Sequence, residues 1–445
     1  MPRPTAEDHG LSTLSTAEAL RVFGGVALPT IAGGVIKRLP PMMAAAEKLR
    51  VDEGADRVLR RLRDRHGDGP LLIKAPGRTF VLPLSSADAG RVLDESPSPF
   101  TPANLEKNAA LSHFQPHGVL ISRGAERDVR RQFNENVLET GEPLHHIAPA
   151  VAEKVHEEAG RMLELAEVGG RLDWDAFNLA WWRIVRRVAL GDAARDDHRT
   201  TDLLARLRLR ANLAYGLKKN KAVREELNQR LRAHLARAEK DSLAGVVAQA
   251  PAQPETDPVG QLPHWLFAFD AAGITSYRAL ALLATHAAER EKARQDQGPL
   301  LPYLRGCQLE SVRLWPTTPM ILRDSTKDTE WDGGTLPAGS TVVIFAPFFH
   351  RDEEELPFAD QFVPEIWLDG RAKQHPALVP FSAGPAECPG RNLVLLVTST
   401  LLSALLQRAD FTMVSRPRLD PAQQLPSTFD NFSLEFDVTA RRPRP

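Results

Sequence analysis

The spacing of apolar residues along the chain predicts mostly helices. Apolar positions recur at helical intervals over residues 148–166, 173–190 and 223–240, the pattern of helices with one buried face. Residues 262–291 are apolar on nearly every side, and a helix of that kind is buried all round. At about 1.5 Å per residue this helix would be about 45 Å long, enough to cross the whole molecule.

Two shorter regions have the features of β-hairpins. Residues 71–84 are rich in β-branched and apolar side chains around the turn dipeptide Pro76-Gly77. Glycines and a proline within 332–339 lead into the β-branched run of residues 340–345 in a similar way. Both regions are therefore predicted to contribute small antiparallel pairs of strands.

Prolines mark the limits of two further helices and one connection. A shorter helix over 302–315 is predicted to end before Pro316, and the last long helix to run from Pro389 to about Arg408, because proline can open a helix but cannot continue one. Segment 249–263 contains four prolines and, taken alone, indicates a connection between two domains. The whole pattern predicts a mainly α fold with small β-sheets.

Composition narrows the function classes. The chain has 445 residues, with 56 Lys and Arg against 57 Asp and Glu, so no global charge draws it to nucleic acid or to an anionic membrane. Cys307 and Cys388 are too few for a disulfide framework or a four-cysteine metal site, and a reducing cytoplasm fits such a chain. The apolar segment 21–36 is too short to span a bilayer and contains a proline and four glycines, so we expect no transmembrane anchor.

The most informative stretch begins at Phe381. Cys388 directly precedes Pro389, and because proline favours the first helical position, the cysteine is predicted at or near the N-cap of the last helix. The helix dipole and unpaired N–H groups would stabilise a thiolate there, the form that binds metal. Gly384 and Gly390 flank the cysteine, and glycine lets a backbone turn tightly or approach a flat ligand closely. A lone cysteine at a helix start is otherwise a buried structural residue.

The combined spacing of Phe381, Gly384, Cys388 and Gly390 resembles the haem-binding signature of the cytochrome P-450 family. The resemblance implies a haem, expected as haem b, whose iron takes the Cys388 thiolate as its axial ligand. A thiolate ligand pushes electron density to the iron and favours O–O cleavage. By the same resemblance Cys307 is expected to be only a buried helix residue.

The resemblance covers nearly the whole chain and implies its domain organisation. It predicts one large haem domain over residues 41–439, in which the proline-rich segment is a surface loop rather than a domain boundary. Residues 1–40 are expected to pack on this domain or to be partly disordered, and residues 440–445 to form a basic tail. The length is then filled by a single domain with a long buried central helix.

A second motif has the spacing and position expected for the same family. Glu310 and Arg313 are three residues apart, so they share a helix face. Such pairs are common on exposed helices, but the position of this one before the cysteine loop resembles the pair that anchors the family's fold. We therefore assign both residues to architecture rather than chemistry. An arginine often completes this network in the family, where this chain has Ile366.

A third motif lies on the long apolar helix. The family usually has Ala-Gly-x-acid-Thr there, where the acid and the threonine organise water and deliver protons to bound dioxygen. This chain keeps Thr275 but has Ile274 where the acid is expected, and Asp270, one turn earlier, is a candidate replacement. The alternative for the threonine is a hydrogen bond to a backbone carbonyl one turn back. The alternative for the aspartate is a salt bridge.

Haem propionates need cations, and the resemblance assigns three arginines to this role. Arg127 and Arg131 are four residues apart on one helix face, and Arg323 follows on the chain after the Glu-x-x-Arg pair. Guanidinium groups suit carboxylates in geometry and charge; the alternative for each is an ordinary exposed arginine. The family commonly has Arg or His two residues before the cysteine, where this chain has Ala386, so one propionate partner is expected to be missing.

Together these motifs imply a cytoplasmic haem-thiolate monooxygenase that inserts one oxygen atom of O2 into an apolar small molecule. Electrons would come from separate proteins, expected to be a ferredoxin and an NAD(P)H-dependent ferredoxin reductase, and Arg130 and Arg391 are candidates for steering an acidic partner. Ile274 motivates an alternative enzyme that uses peroxide or needs no redox partner, although retention of Thr275 weighs against it. A non-catalytic haem-binding carrier or sensor is the alternative of another class. The expected substrate-lining segments are 96–120, 205–220, the helix face around Phe269 and Thr275, 319–322 and 427–429.

Overall fold

The structure, a computed structural model, describes residues 11–415 and 419–441. Residues 1–10 of the expected N-terminal segment and residues 442–445 of the expected basic tail lie outside the described residues. Within the described part, most of the chain is helical. The helices are α1 (Thr16–Val22), α2 (Leu28–Ala32), α3 (Pro40–Leu49), α4 (Val51–His66), α5 (Ser86–Asp94), α6 (Leu105–Leu111), α7 (Gly124–Leu138), α8 (Ala148–Gly169), α9 (Trp174–Leu190), α10 (His198–Ala211), α11 (Lys221–Arg237), α12 (Leu243–Gln249), α13 (Pro258–Thr285), α14 (Ala287–Gln295), α15 (Pro302–Leu314), α16 (Ala346–His350) and α17 (Arg391–Arg408).

Short strands form three small sheets in these ranges. The strands are β1 (Leu71–Ala75), β2 (Arg78–Leu82), β3 (Phe100–Thr101), β4 (Arg171–Asp173), β5 (Met320–Ser325), β6 (Thr329–Trp331), β7 (Gly334–Leu336), β8 (Thr341–Phe345), β9 (Ala409–Met413) and β10 (Glu435–Ala440). One sheet has the order β1-β2-β8-β5-β3, a second has β4-β10-β9, and β6 pairs with β7 alone. The prediction of a mainly α fold with small β-sheets is confirmed.

Both predicted hairpin regions contain paired strands. β1 and β2 are antiparallel with Leu71 opposite Leu82, and Gly77 in the turn has a φ of 73°, a left-handed conformation that suits glycine. β6 and β7 pair around a second turn that contains Gly333. β8 then lies between β2 and β5, so the largest sheet joins the start of the chain to residues beyond 320.

The predicted helices occur, with one break. α8, α9 and α11 occupy the stretches with helical periodicity. The long apolar helix is α13, about 42 Å at about 1.5 Å per residue, and it ends at Thr285 instead of continuing to residue 291. His286 interrupts it with an extended backbone, while its ring bonds the Leu282 carbonyl at 2.9 Å and packs edge-on against Phe362.

The proline-rich segment is partly helical. Its last residues already belong to α13, with Pro258 in the first turn and Pro263 inside the helix. Asp257 caps this helix, because its side chain accepts a hydrogen bond from the N–H of Gly260 at 3.1 Å. The connection between α12 and α13 is therefore shorter than the sequence pattern indicates.

The main hydrophobic core surrounds α13. Its apolar residues pack with those of α8, α9, α15 and α17, and buried Cys307 of α15 belongs to this core as expected. α13 is long and apolar enough to cross a membrane by length and composition, but 78% of its most apolar window is buried inside the protein. These properties are those of a core helix. A second core lies between the largest sheet and the N-terminal helices.

Candidate functional site

Cys388 lies in a loop directly before α17. Its backbone N–H donates to the carbonyl of Phe381 at 2.9 Å, and its own carbonyl accepts from the N–H of Arg391 at 3.3 Å. Pro389 and Gly390 form a turn, and Gly390 is the N-cap of α17. The prediction that α17 begins at Pro389 is therefore wrong, and the cysteine precedes the N-cap by two residues. The hydrogen bond of this turn, from the N–H of Arg391 to the Cys388 carbonyl, comes before the first hydrogen bond of the helix, from the N–H of Val394 to the Gly390 carbonyl.

Cys388 is half-buried, and its sulfur has one backbone donor. Burial raises the pKa of the Cys388 thiol, and a hydrogen bond from the N–H of Gly390 opposes this effect. Because burial has the larger effect, the thiol stays protonated at neutral pH unless a cation binds the sulfur. A half-buried cysteine whose sulfur accepts a backbone hydrogen bond fits a thiolate ligand of a metal, and haem iron is a group that these residues fit.

The two signature glycines meet different surroundings. Gly384 has a φ of +63°, and a Cβ added there would overlap the carbonyl oxygen of Leu93 and lie 2.9 Å from the Cα of Asp94. Gly390 has a φ of −90°, and the nearest atom to an added Cβ would be 3.8 Å away. Glycine at 384 is thus required by the packing of the loop on α5, whereas the protein itself does not require glycine at 390. Phe381 is half-buried against the main core.

Arg131 holds the residue before the cysteine. One of its Nη atoms donates to the carbonyl of Glu387 at 2.7 Å, and its Nε donates to the carboxylate of Glu135, one turn further along α7. Arg131 therefore already has two partners in the protein. It supports the cysteine loop, and its assignment to a propionate stays a prediction.

Arg127 and Arg323 form a buried pair of like charges. Both are buried, and burial followed by the neighbouring Arg127 lowers the pKa of Arg323 to about 10. Arg323 donates to the hydroxyls of Ser96 and Ser382, each at 3.0 Å. Nε of Arg127 has no partner among the described residues, and its nearest carboxylate, on Asp128, is 3.8 Å away. Two buried guanidinium groups without a carboxylate between them fit an anionic ligand such as haem propionates.

Lys107 is a third cation in this cluster, and the sequence reasoning did not identify it. Its ammonium donates to the carbonyls of Pro102 and Leu322 at 2.9 and 2.8 Å. Burial, assisted by the nearby Arg323, lowers its pKa well below the ordinary value. The sequence contains no signal for this role, because the contact to Leu322 depends on where β5 lies relative to α6. We name Lys107, Arg127 and Arg323 the cation cluster.

Thr275 is bonded on both sides of its hydroxyl. Its Oγ1 lies 3.2 and 3.1 Å from the carbonyls of Ala271 and Ala272, the backbone bond that was the alternative to a relay role. It also accepts a hydrogen bond from Nε2 of Gln308 in α15, and Ser311 donates to the Thr275 carbonyl at 2.8 Å. Gln308 is a site residue that the sequence analysis missed, because residues 33 positions apart show no common pattern.

Asp270 is in a salt bridge with α10. Its carboxylate accepts from Arg208 at 2.6 Å, and the same guanidinium donates to the carbonyl of Ile36 at 2.8 Å and lies over the ring of Phe267. The salt bridge is one of the two alternatives that the sequence left open. It joins the central helix to α10 and to the N-terminal segment.

Glu310 and Arg313 form a fully buried ion pair. Two guanidinium nitrogens donate to the two carboxylate oxygens at 2.6 and 2.8 Å. The remaining guanidinium donors reach backbone carbonyls at 350, 359 and 361. On the other side, Trp367 Nε1 donates to Glu310 at 2.9 Å, and Ile366 is fully buried beside it. An indole N–H thus bonds the carboxylate in a network that lacks the second arginine often found in the family.

The surface near the cysteine carries one of the two proposed steering residues. Arg391 is exposed and pairs with Glu387 at 2.7 Å. Arg130 is buried and donates to the carbonyl of Glu255 at 2.9 Å and to the hydroxyl of Ser122 at 2.7 Å. The prediction that Arg130 steers a partner is wrong, because its side chain faces the protein interior.

Some expected substrate-lining residues surround a small cavity. Its volume is about 60 Å³, and Pro319, Ser427 and Phe429 line it together with residues of the N-terminal helices. Arg278 of α13 also lines it and donates to the carbonyl of Phe429 at 2.7 Å. The 319–322 and 427–429 segments therefore meet in space, and the N-terminal helices cover them.

Comparison with known proteins agrees with these observations. A family model described as cytochrome P450 matches residues 283–434, a range that contains the Glu-x-x-Arg pair and the cysteine loop. The chain is 38% identical over 112 residues to cyclooctat-9-en-7-ol 5-monooxygenase of Streptomyces melanosporofaciens, a match that covers 25% of this chain and 24% of that protein. It is 34% identical over 127 residues to beta-amyrin 24-hydroxylase of Glycine max, covering 26% and 25%. The chain thus spans about a quarter of the length of these curated relatives.

Among solved structures, the fold is similar to that of retinoic acid bound cyanobacterial CYP120A1. The TM-score is 0.69 at 20% sequence identity, and the match covers 86% of this chain and 94% of the other. At this identity the likeness concerns the fold. The structural match covers a much larger part of this chain than the sequence matches do.

Proposed function

This chain belongs to the cytochrome P450 family, and from that premise we propose that it is a haem-thiolate monooxygenase that inserts one oxygen atom of O2 into an apolar small molecule. The observation that carries the proposal is the cysteine loop, where the half-buried Cys388, whose sulfur has one backbone donor, lies before α17. Haem, expected as haem b, would bind at Cys388 and supply the binding and activation of O2.

The cation cluster would bind the two propionates. Lys107, Arg127 and Arg323 converge from α6, α7 and β5, so the fold sets their positions before any ligand arrives. Ser96 and Ser382 orient the Arg323 guanidinium, which lowers the entropy cost of ordering a long side chain on binding. The cluster would also offset the missing cation at Ala386.

Thr275 is the proposed proton donor on the distal side, supported by Gln308. The Gln308 amide donates to Oγ1 of Thr275, so the hydroxyl proton must point elsewhere, at present to a carbonyl of its own helix. Rotation of this proton away from the carbonyl would make it available to a ligand or a water molecule. Asp270 is the second candidate, and it would have to give up its bond to Arg208.

An apolar substrate is the proposed class. The names of the relatives refer to cyclooctat-9-en-7-ol and beta-amyrin, and the similar structure contains retinoic acid; all three molecules are mostly hydrocarbon. We propose that electrons come from a ferredoxin and its NAD(P)H-dependent reductase. Arg391 is the steering residue retained for their docking, and the cytoplasm is the proposed location.

Carbon monoxide binding tests the haem-thiolate proposal. The reduced protein with carbon monoxide should show the red-shifted Soret band of thiolate ligation. Cys388→Ser should abolish this band, whereas Cys307→Ser, the matched control in buried α15, should retain it. A band that survives Cys388→Ser, or that is absent from the parent protein loaded with haem, would refute the assignment.

Turnover separates the proposed reaction from its alternatives. A panel of apolar compounds would first be screened for a high-spin shift of the haem spectrum, and compounds that bind would be incubated with ferredoxin, reductase and NADPH or with peroxide alone. Product formed only with peroxide would favour the alternative motivated by Ile274 and by the salt bridge of Asp270. Binding without product in either system would favour a carrier or sensor.

A further inference from the structure

A group of metal-binding side chains lies in the connection between α7 and α8. Glu139, His145 and His146 each offer one donor atom, and these atoms all lie within 4.8 Å of one another. Glu139 directly follows α7 with a left-handed φ of 48°, which turns the chain back toward the two histidines. None of the three residues has a role in the proposed oxygenation.

Glu139 lies between the two imidazole rings. One carboxylate oxygen is bonded to Nδ1 of His146, and the other is 3.6 Å from Nδ1 of His145 and accepts the backbone N–H of His146 at 2.8 Å. The rings are 4.8 Å apart between centroids and tilted by 34°. Both Nδ1 atoms therefore face the same carboxylate.

His145 is oriented by a backbone contact. Its Nε2 is 2.9 Å from the carbonyl of Val137, an acceptor only, so Nε2 carries the proton and Nδ1 carries the lone pair. The N–H of Ile147 donates to this lone pair at a long 3.3 Å. Metal-binding histidines commonly donate their other ring N–H to a carbonyl in this way, which fixes both the tautomer and the ring.

The burial of the three side chains suits a metal site that is open on one side. His145 is buried, Glu139 is half-buried and His146 is exposed. The buried ring and the carboxylate form a rigid base, and the exposed ring can move. In a tetrahedral zinc site with bonds of about 2.0–2.1 Å, donor atoms are about 3.3 Å apart. The 3.6 Å between Glu139 and His145 is near this value, and the His146 ring would move outward from its present contact.

We propose that Glu139, His145 and His146 bind one Zn²⁺ ion, with water in the fourth position. Two imidazole nitrogens and a carboxylate oxygen form a donor set that suits zinc, whereas Mg²⁺ and Ca²⁺ prefer oxygen donors alone. The ion would take the place of the proton or hydrogen bond that now joins the carboxylate to His146. This proposal does not rest on the proposed function.

The site is connected to the cysteine loop. The Thr140 hydroxyl donates to the carbonyl of Pro389 at 2.8 Å, and Asn392 donates to the carbonyls of Thr140 and Glu142 at 3.2 and 2.8 Å. A bound ion would fix the loop from 139 to 146 and add positive charge to the surface beside Cys388. We therefore expect slower hydrogen exchange in this loop when zinc is bound.

Zinc titration of the tag-free, haem-loaded protein tests the proposal. Isothermal titration should find one Zn²⁺ per chain, and zinc X-ray absorption should show two imidazole ligands with bonds of about 2.0–2.1 Å. His146→Ala should weaken binding at least about tenfold, since even the loss of a supporting group around a metal costs 10–100-fold. Glu139→Gln should act in the same direction.

His117→Ala is the matched control. His117 is also exposed and bonded to a carboxylate, that of Asp257 at 2.6 Å, but no third donor lies near this pair in the described ranges. It should leave zinc affinity unchanged. An absence of zinc binding to the parent protein, equal affinity in His146→Ala, or an equal loss in His117→Ala would each overturn the proposal. The far-UV circular dichroism spectrum of each variant would show that the fold is retained.

Discussion

Gly384→Ala tests whether the cysteine loop requires glycine because of its left-handed backbone and its contact with α5. The φ of +63° at this position costs a residue with a Cβ about 1–2 kcal/mol. The added Cβ would also overlap the Leu93 carbonyl, which belongs to the backbone of α5. Leu93 is fully buried, so the helix cannot shift freely, and overpacking of this kind costs about 1–3 kcal/mol.

The replacement of glycine also restricts the unfolded chain, which stabilises the protein by about 0.4–1 kcal/mol. The net loss for Gly384→Ala is therefore about 1–5 kcal/mol of unfolding free energy. Gly390→Ala is the matched control, because its φ of −90° suits alanine and its added Cβ has ordinary contacts. That variant should unfold within about 1 kcal/mol of the parent.

Urea unfolding of the haem-loaded proteins, followed by far-UV circular dichroism and by the Soret band, measures both variants. Gly384→Ala should unfold at lower urea than Gly390→Ala and should lose the haem band in the same transition. If the two variants unfold together, the loop tolerates a Cβ at 384. The reasoning from the left-handed backbone and the α5 contact would then be refuted.

Three further predictions follow from buried polar contacts. Trp367→Phe removes the N–H that donates to the Glu310 carboxylate and should lower the unfolding free energy by about 1.5–3 kcal/mol; an unchanged urea midpoint would contradict this role. Arg323→Gln removes one charge of the cation cluster, so haem should transfer to an acceptor apoprotein at least about tenfold faster, because a charge-assisted hydrogen bond contributes about 1.5–3 kcal/mol; an unchanged transfer rate would exclude it from propionate binding. Burial, then Arg313, lowers the pKa of His350 to about 3, so as pH falls below about 6.5 the unfolded state takes up a proton that the folded state does not. Stability should fall by up to about 1.4 kcal/mol per pH unit more in the parent than in His350→Gln, and equal slopes between pH 6 and pH 4.5 would contradict this prediction.

The helices and strands of the structure agree closely with those predicted from local patterns of residues. The periodicity of apolar residues indicates α8, α9 and α11, and the turn residues indicate the β1-β2 hairpin, because these features depend on residues a few positions apart. The predicted ends of two helices were wrong. α13 stops at His286, where a ring contact with Phe362 competes with the helix, and α17 starts after the turn at Pro389 and Gly390.

The spacing of the cysteine loop and of the Glu310-Arg313 pair was sufficient to indicate the family, because the residues that carry the resemblance lie within short motifs. Their partners were not visible in the sequence. Trp367 bonds Glu310 across 57 positions, and Gln308 bonds Thr275 across 33. No spacing rule connects residues that meet only when separate helices pack together.

The direction of individual charged side chains was decided by the tertiary structure alone. Arg127, Arg130 and Arg131 are close neighbours in α7, yet the first lies near Arg323, the second bonds the Glu255 carbonyl, and the third holds the cysteine loop. Local patterns in the sequence therefore indicate which elements form and which loop bears the cysteine. Only packing determined which cations meet at one place, because successive residues of a helix point about 100° apart and the neighbours they meet come from distant parts of the chain.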